Sequence, residues 1–356
     1  MRLPPASEAA SIALGLALGR DIDHAGVADW PRVHAVARTE RLAALAWLRS
    51  GEAIRRHAPP ELVGRWRAES VAAAELADRQ LLALRDIARS EGENGEIPFV
   101  LKGLPLADFL YADASVRVSC DIDLFVDEAR RAAVHRMLTA LGWEHWHGAA
   151  PYDASYRQTG SEGTLFLEVH SLLASEALAH CPLTPDGGRL WSRDGLTVRT
   201  LDGPLSAVYL AANLTKHATP SLMSYVDLAT VWTTLSAEQR TTTHRLAEKA
   251  RLGRCLRWAL GRAHALPAAA TGDGAALRAL GFRGEERTSA HALLRLIWLA
   301  DGPTDAARII GTWTWPRSLR SSGDAVIPFW GRRMRRSFAG RFRYSRAYIA
   351  DATTQG

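Results

Sequence analysis

Cys120-Asp121-Ile122-Asp123-Leu124-Phe125-Val126 is the stretch that decides the fold, together with Leu165-Phe166-Leu167-Glu168-Val169-His170 further along. Both runs are apolar and β-branched or aromatic over four to six residues, which predicts short buried strands. Side chains alternate along a strand, so Asp121 and Asp123 share one face while Ile122 turns into the core. Two like charges so close repel, and the arrangement is costly without a cation between them. A hard divalent ion with oxygen ligands, Mg²⁺ above all, supplies that charge.

Working outward, Ile97–Leu101 reads as a strand closed by Lys102-Gly103, and Leu104–Tyr111 as a helix with Pro105 in its first turn. Glycine at that junction lets the backbone approach a ligand, and the helix start offers N–H groups to a phosphate. Arg117 precedes the acidic pair by four residues and is suited to clamping phosphate oxygens; a solvated loop arginine is the alternative. Asp127 is expected to cap a helix ending at Leu141-Gly142. Strands are expected at Trp143–His147, Tyr152–Gln158 and Thr164–His170. His145, His147 and His170 raise the alternative of zinc, but no cysteine or third ligand stands at a diagnostic spacing. His170 instead orients Glu168 or a phosphate, or ends the strand.

The flanks differ from this centre. Residues 1–92 read as a helical region without a catalytic constellation, with Glu61–Ser90 as one or two long helices. Residues 93–201 form the α/β core, 202–305 a second helical domain, and 306–356 a basic aromatic tail. The fold class expected is therefore α+β, a small mixed sheet flanked by helical domains. On the helix ending at His217, Asn213, Lys216 and His217 share one face, which either closes over a triphosphate or faces solvent. Asp227, inside the next helix, reads as a buried partner for a cation or as a site residue.

Composition narrows the class. The chain has 356 residues and only three lysines, Lys102, Lys216 and Lys249, against 41 arginines, so a lysine stands out. Three distant cysteines, Cys120, Cys181 and Cys255, argue against a disulfide framework and suit a cytoplasmic protein. Ala9–Gly19 is apolar but short and follows Glu8, so it reads as an amphipathic helix and not a secretory signal. No apolar run reaches the length of about 20 residues that spans a bilayer. Between Arg308 and Arg346 lie ten arginines and one acid, Asp324, interleaved with aromatics, a formal +9 that leaves −3 elsewhere. That segment fits nucleic acid, a peptide or an anionic surface, or a helix packed on the body with its arginines in water.

Phe99-Val100-Leu101-Lys102-Gly103, Tyr111, Arg117, the Asp121–Val126 run, Leu141-Gly142-Trp143 and Leu167-Glu168-Val169-His170 together resemble the bacterial family of uncharacterised nucleotidyltransferases, within the polymerase-β-like superfamily. Leu205–His217 and Tyr225–Ala229 resemble the helical part of that family, so the likeness covers about residues 97–265. Leu104 replaces a second small residue, the gap from Gly103 to Asp121 is long, and Ser171 replaces an aromatic. The resemblance implies Mg²⁺ or Mn²⁺ held by Asp121, Asp123 and Glu168 as metal ligands and catalytic residues, with two ions about 3.5–4 Å apart. It implies a nucleoside triphosphate substrate, ATP first, gripped by Lys102, Gly103, Arg117, Lys216 and His217. The reaction implied is transfer of a nucleoside monophosphate to an acceptor hydroxyl on a small molecule, a peptide or protein, or RNA, with pyrophosphate released. The alternative is a non-catalytic nucleotide-binding or adaptor protein that works through the basic tail.

Overall fold

A computed structural model describes residues 5–20, 26–93, 96–111, 113–147, 153–174, 178, 181, 183–186, 188–216, 220–281 and 289–314. The architecture is α+β, with helices before and after one seven-stranded mixed sheet. The chain divides into two compact units that interleave along the sequence. The first comprises Met1–Arg79, Leu104–Val118 and Gly203–Arg287, the second Gln80–Gly103, Ser119–Asp202 and Thr288–Gly356.

The first unit is helical. It holds α1 (Pro5–Ala17), α2 (Trp30–Thr39), α3 (Ala43–His57), the first part of α4 (Pro60–Gly92) and α5 (Leu104–Leu110). Its last segment adds α7 (Gly203–Lys216), α8 (Leu222–Thr234), α9 (Ala237–Lys249), α10 (Gly253–Ala263), α11 (Leu266–Ala270) and α12 (Gly274–Ala279). Two of its N-termini show how side chains close them: Asp29 accepts from the Arg32 N–H at 3.0 Å, and Ser236 and Gln239 form a capping box on α9. Pro204–Ala212 of α7 are all buried, as expected for a helix apolar on every side. Asn213 and Lys216 are half-buried at its C-terminal end, while His217 lies outside the described residues.

The second unit is built on the sheet. Its strands are β1 (Phe99–Val100), β2 (Ile122–Phe125), β3 (Glu144–His147), β4 (Asp153–Gly160), β5 (Gly163–His170), β6 (Arg189–Arg193) and β7 (Leu196–Thr200), in the order β3-β4-β5-β2-β1-β7-β6. β2 runs parallel to β5 and antiparallel to β1. Alternation decides the faces: Leu165, Leu167 and Val169 of β5 are buried, and register puts Ile122 and Leu124 of β2 beside the last two. Each such aliphatic side chain contributes about 1.5–3 kcal/mol by leaving water.

After β2 comes α6 (Arg131–Ala140), with Val134 and Leu138 buried. Asp127, expected to cap this helix, makes no capping bond through its side chain; a 3₁₀ turn at Glu128–Arg130 intervenes. The helix stops at Gly142, whose φ of +83° is the left-handed conformation that favours glycine, and the Trp143 N–H returns to the Leu138 carbonyl at 2.9 Å. α13 (Ser289–Trp298) and α14 (Pro303–Thr314) complete the unit. The basic tail beyond residue 314 lies outside the described residues. Among those described, no helix is long and apolar enough to cross a membrane.

Candidate active site

Parallel pairing brings the carboxylates together. In the β2–β5 ladder Asp123 stands directly opposite Glu168, so both side chains leave the same face. His170, two residues after Glu168, shares that face. Ligand atoms of Asp123, Glu168 and His170 all lie within 4.8 Å of one another. The His170 Nε2 is 3.0 Å from Asp123 Oδ1 and 3.4 Å from Glu168 Oε2. Asp123 is 1% exposed, whereas the Glu168 side chain is 37% exposed and reachable from solvent.

Asp121 is not among the three residues whose ligand atoms meet within 4.8 Å. It lies just before β2 and, together with Asp123, meets a lysine. The Lys102 Nζ is 3.4 Å from Asp121 Oδ1 and 3.0 Å from Asp123 Oδ2. The end of the ladder explains why. Val100 pairs with Leu124, and the Leu101 N–H donates to the Asp123 carbonyl at 2.9 Å, continuing the ladder past the end of β1. The next residue, Lys102, lies in a bend beyond the ladder and is freed from the strand's alternation, so its side chain reaches both aspartates.

The turn that carries Asp121 is braced by residues that the sequence reading did not single out. Ser119 Oγ donates to the Asp121 carbonyl at 3.0 Å, and Gln80 Nε2 donates to the Ser119 carbonyl at 2.8 Å. Gly103 backs onto the same turn. Its φ is +78°, and a Cβ there would find Ser119 Oγ no closer than 3.7 Å, so the glycine is required by the backbone angle and not by space. No sequence signal marks Gln80, which sits in the middle of a regular helix.

The local charges act on Asp123. Burial pushes its carboxyl upward, but the Lys102 charge and the hydrogen bond from His170 outweigh this and hold it below the ordinary carboxylate range. Asp123 is therefore an anion at neutral pH. Its Oδ2 has the Lys102 charge nearby but no directed hydrogen bond. A buried carboxylate oxygen without a hydrogen bond, beside a second carboxylate and an imidazole, fits a divalent cation. Asp123 and Glu168 would hold such an ion, with His170 either adding its nitrogen or keeping Asp123 oriented as it does here.

Arg117, Lys216 and Asp227 lie on the first unit. Arg117 Nε donates to Asp227 Oδ2 at 2.8 Å, and the Tyr111 hydroxyl donates to Asp227 Oδ1 at 2.8 Å. Of the two roles open to Asp227, the structure thus shows the buried partner of a cation. His145 packs edge-on against Tyr156 and His135, and it is not in the group that among the described residues could hold a metal, Asp123, Glu168 and His170.

No curated protein and no solved structure matches the chain. Residues 26–267 match a family described as uncharacterised nucleotidyltransferase. With more than half of its length matched, and with paired carboxylates on adjacent strands, the chain belongs to the uncharacterised nucleotidyltransferase family.

Proposed function

We propose that the protein moves a nucleoside monophosphate from a nucleoside triphosphate, ATP first, to an acceptor hydroxyl, with Mg²⁺ or Mn²⁺ at the carboxylates. The observation that carries this reading is the direct register of Asp123 with Glu168, with His170 against both. When bound, the ion neutralises phosphate charge and favours ionisation of the acceptor hydroxyl.

The chain's own groups do the rest. Asp121, Asp123 and Glu168 hold the cation, and His170 fixes the Asp123 carboxylate by its 3.0 Å bond. Lys102 and Gly103 lie at the same turn and take the triphosphate. Asp121 faces the same ammonium and completes the anionic wall. The exposed Glu168 accepts the acceptor's proton as the oxygen attacks the α-phosphorus. One P–O bond forms to the acceptor, the bridging α–β P–O bond breaks, and pyrophosphate leaves. Positioning and charge neutralisation account for most of the acceleration. Arg117, Lys216 and His217 are assigned to nucleotide binding from the sequence.

The test is to incubate the purified chain with each α-labelled triphosphate, Mg²⁺ and host extract, and to follow label and pyrophosphate. Wild type transfers label to one acceptor class. Asp123→Asn loses several kcal/mol of transition-state stabilisation and shows no turnover. Equal labelling by both proteins refutes the assignment. Nucleotide binding without Mg²⁺ and without pyrophosphate in any acceptor mixture identifies the non-catalytic binder instead.

A further inference from the structure

We propose that the Lys102 ammonium is a built-in counter-ion that fills the cation position between Asp121 and Asp123 until a nucleoside triphosphate arrives, so that divalent metal loads onto this pair together with nucleotide and not before it. The inference rests on the metal-dependent reading above and adds an order of events to it.

Three observations carry it. The ammonium is 3.0 Å from Asp123 Oδ2 and 3.4 Å from Asp121 Oδ1, so the inward-facing oxygens of both aspartates already have a positive charge. Lys102 and Asp121 are each 17% exposed and Asp123 1%, so water screens these charges only weakly. The Leu101 N–H donates to the Asp123 carbonyl at 2.9 Å, which fixes the backbone next to Lys102 beside the acidic turn.

A divalent ion binding an aspartate oxygen sits about 2.0–2.2 Å from it and cannot share the pocket with an ammonium at hydrogen-bonding distance. The ammonium must therefore move before a metal binds this pair. A triphosphate gives it somewhere to go, because its oxygens offer an anion of equal or greater charge. Nucleotide thus releases the carboxylates that the metal needs. Without nucleotide, the lysine competes with the ion for the same oxygens.

The experiment measures Mn²⁺ binding to the full chain by calorimetry, with free Mn²⁺ followed by its spin-resonance signal. It compares wild type with Lys102→Met, which keeps the length of the side chain and removes its charge. Each is measured alone and with an α,β-methylene triphosphate, which cannot be cleaved at the reacting bond. The expected result without nucleotide is that Lys102→Met binds Mn²⁺ about tenfold or more tightly than wild type. With the analogue, the two proteins converge to within about threefold. Equal or weaker Mn²⁺ binding by Lys102→Met overturns the inference while leaving the metal site in place, and so does a gap that persists with the analogue. If neither protein binds Mn²⁺ under either condition, the metal-dependent reading itself fails and the inference with it. Lys102→Met leaves two carboxylates uncompensated, so its thermal midpoint is also followed against Mn²⁺. Mn²⁺ must raise that midpoint more than it raises the wild-type value, and an equal or smaller rise overturns the inference.

Discussion

Replacing Asp227 by alanine should be among the most destabilising single changes in the helical unit. Asp227 accepts from Tyr111 and from Arg117, both at 2.8 Å, and is 1% exposed; the Arg117 side chain is 10% exposed. Removing one partner of a buried ion pair costs about 3–5 kcal/mol, because the other charge stays buried without compensation. The stranded Tyr111 hydroxyl adds about 1–3 kcal/mol. The two penalties overlap, since water admitted to the space serves both groups, so about 4 kcal/mol in total is expected. That is a large share of the roughly 5–15 kcal/mol that holds a domain folded. Tyr111→Phe leaves the ion pair intact and should cost about 1–2 kcal/mol. Burial, and then the Asp227 charge, push the Tyr111 hydroxyl well up, so it stays a donor through ordinary pH. Arg117→Met with Asp227→Leu removes both charges together and should recover most of the loss. Urea unfolding followed by circular dichroism and by tryptophan fluorescence reads these values. A cost below about 1 kcal/mol for Asp227→Ala would refute the reasoning, as would a double variant no more stable than Asp227→Ala.

Gly103→Ala forces a side chain into φ +78° with its nearest contact at 3.7 Å, so the cost is conformational, about 1–2 kcal/mol by urea unfolding, and a gain in stability would contradict it. Glu40 accepts the Leu222 N–H at 2.7 Å, and burial raises its carboxyl although that bond and Arg41 pull it down. A raised folded value means that the native state binds the proton more tightly than the unfolded chain does. Wild type should therefore gain stability relative to Glu40→Gln as pH falls from neutral towards the ordinary glutamate value near 4.3. A difference that is flat with pH, or runs the other way, would count against it. Lys216→Met should raise the KM for nucleotide with kcat little changed if Lys216 holds the triphosphate; unchanged steady-state kinetics would remove it from the site.

The parts of the fold that follow a local period were legible in the sequence. β5 alternates and Gly142 ends a helix, each for a reason confined to a few neighbouring residues. β6 (Arg189–Arg193) is not legible as a strand in the sequence. It is an edge strand with one deeply buried side chain, Trp191, while Leu190 is 60% exposed, so its alternation is too weak to read. The overlooked signal was the turn. Asp194-Gly195 joins β6 to β7 with φ of +48° and +80°, the two-residue Asp-Gly hairpin whose twist matches the strands. Asp227 could not be resolved from its own helix, because its partners lie 116 and 110 residues away.

The acidic pair shows where sequence reasoning stops. Two unit charges about 4 Å apart repel by roughly 4 kcal/mol at an effective dielectric near 20, so a cation between Asp121 and Asp123 follows from the residues alone. Which cation does not. The argument from charge pointed to a divalent ion, and the chain supplies an ammonium from the neighbouring strand. Naming it required the β1–β2 pairing, in which Phe99 opposes Phe125, because that pairing and the bend after it bring Lys102 beside the acidic turn. The pairing of two short strands, and not the Asp-x-Asp spacing, therefore decides whether this site rests neutralised by the protein or must wait for an ion from solution.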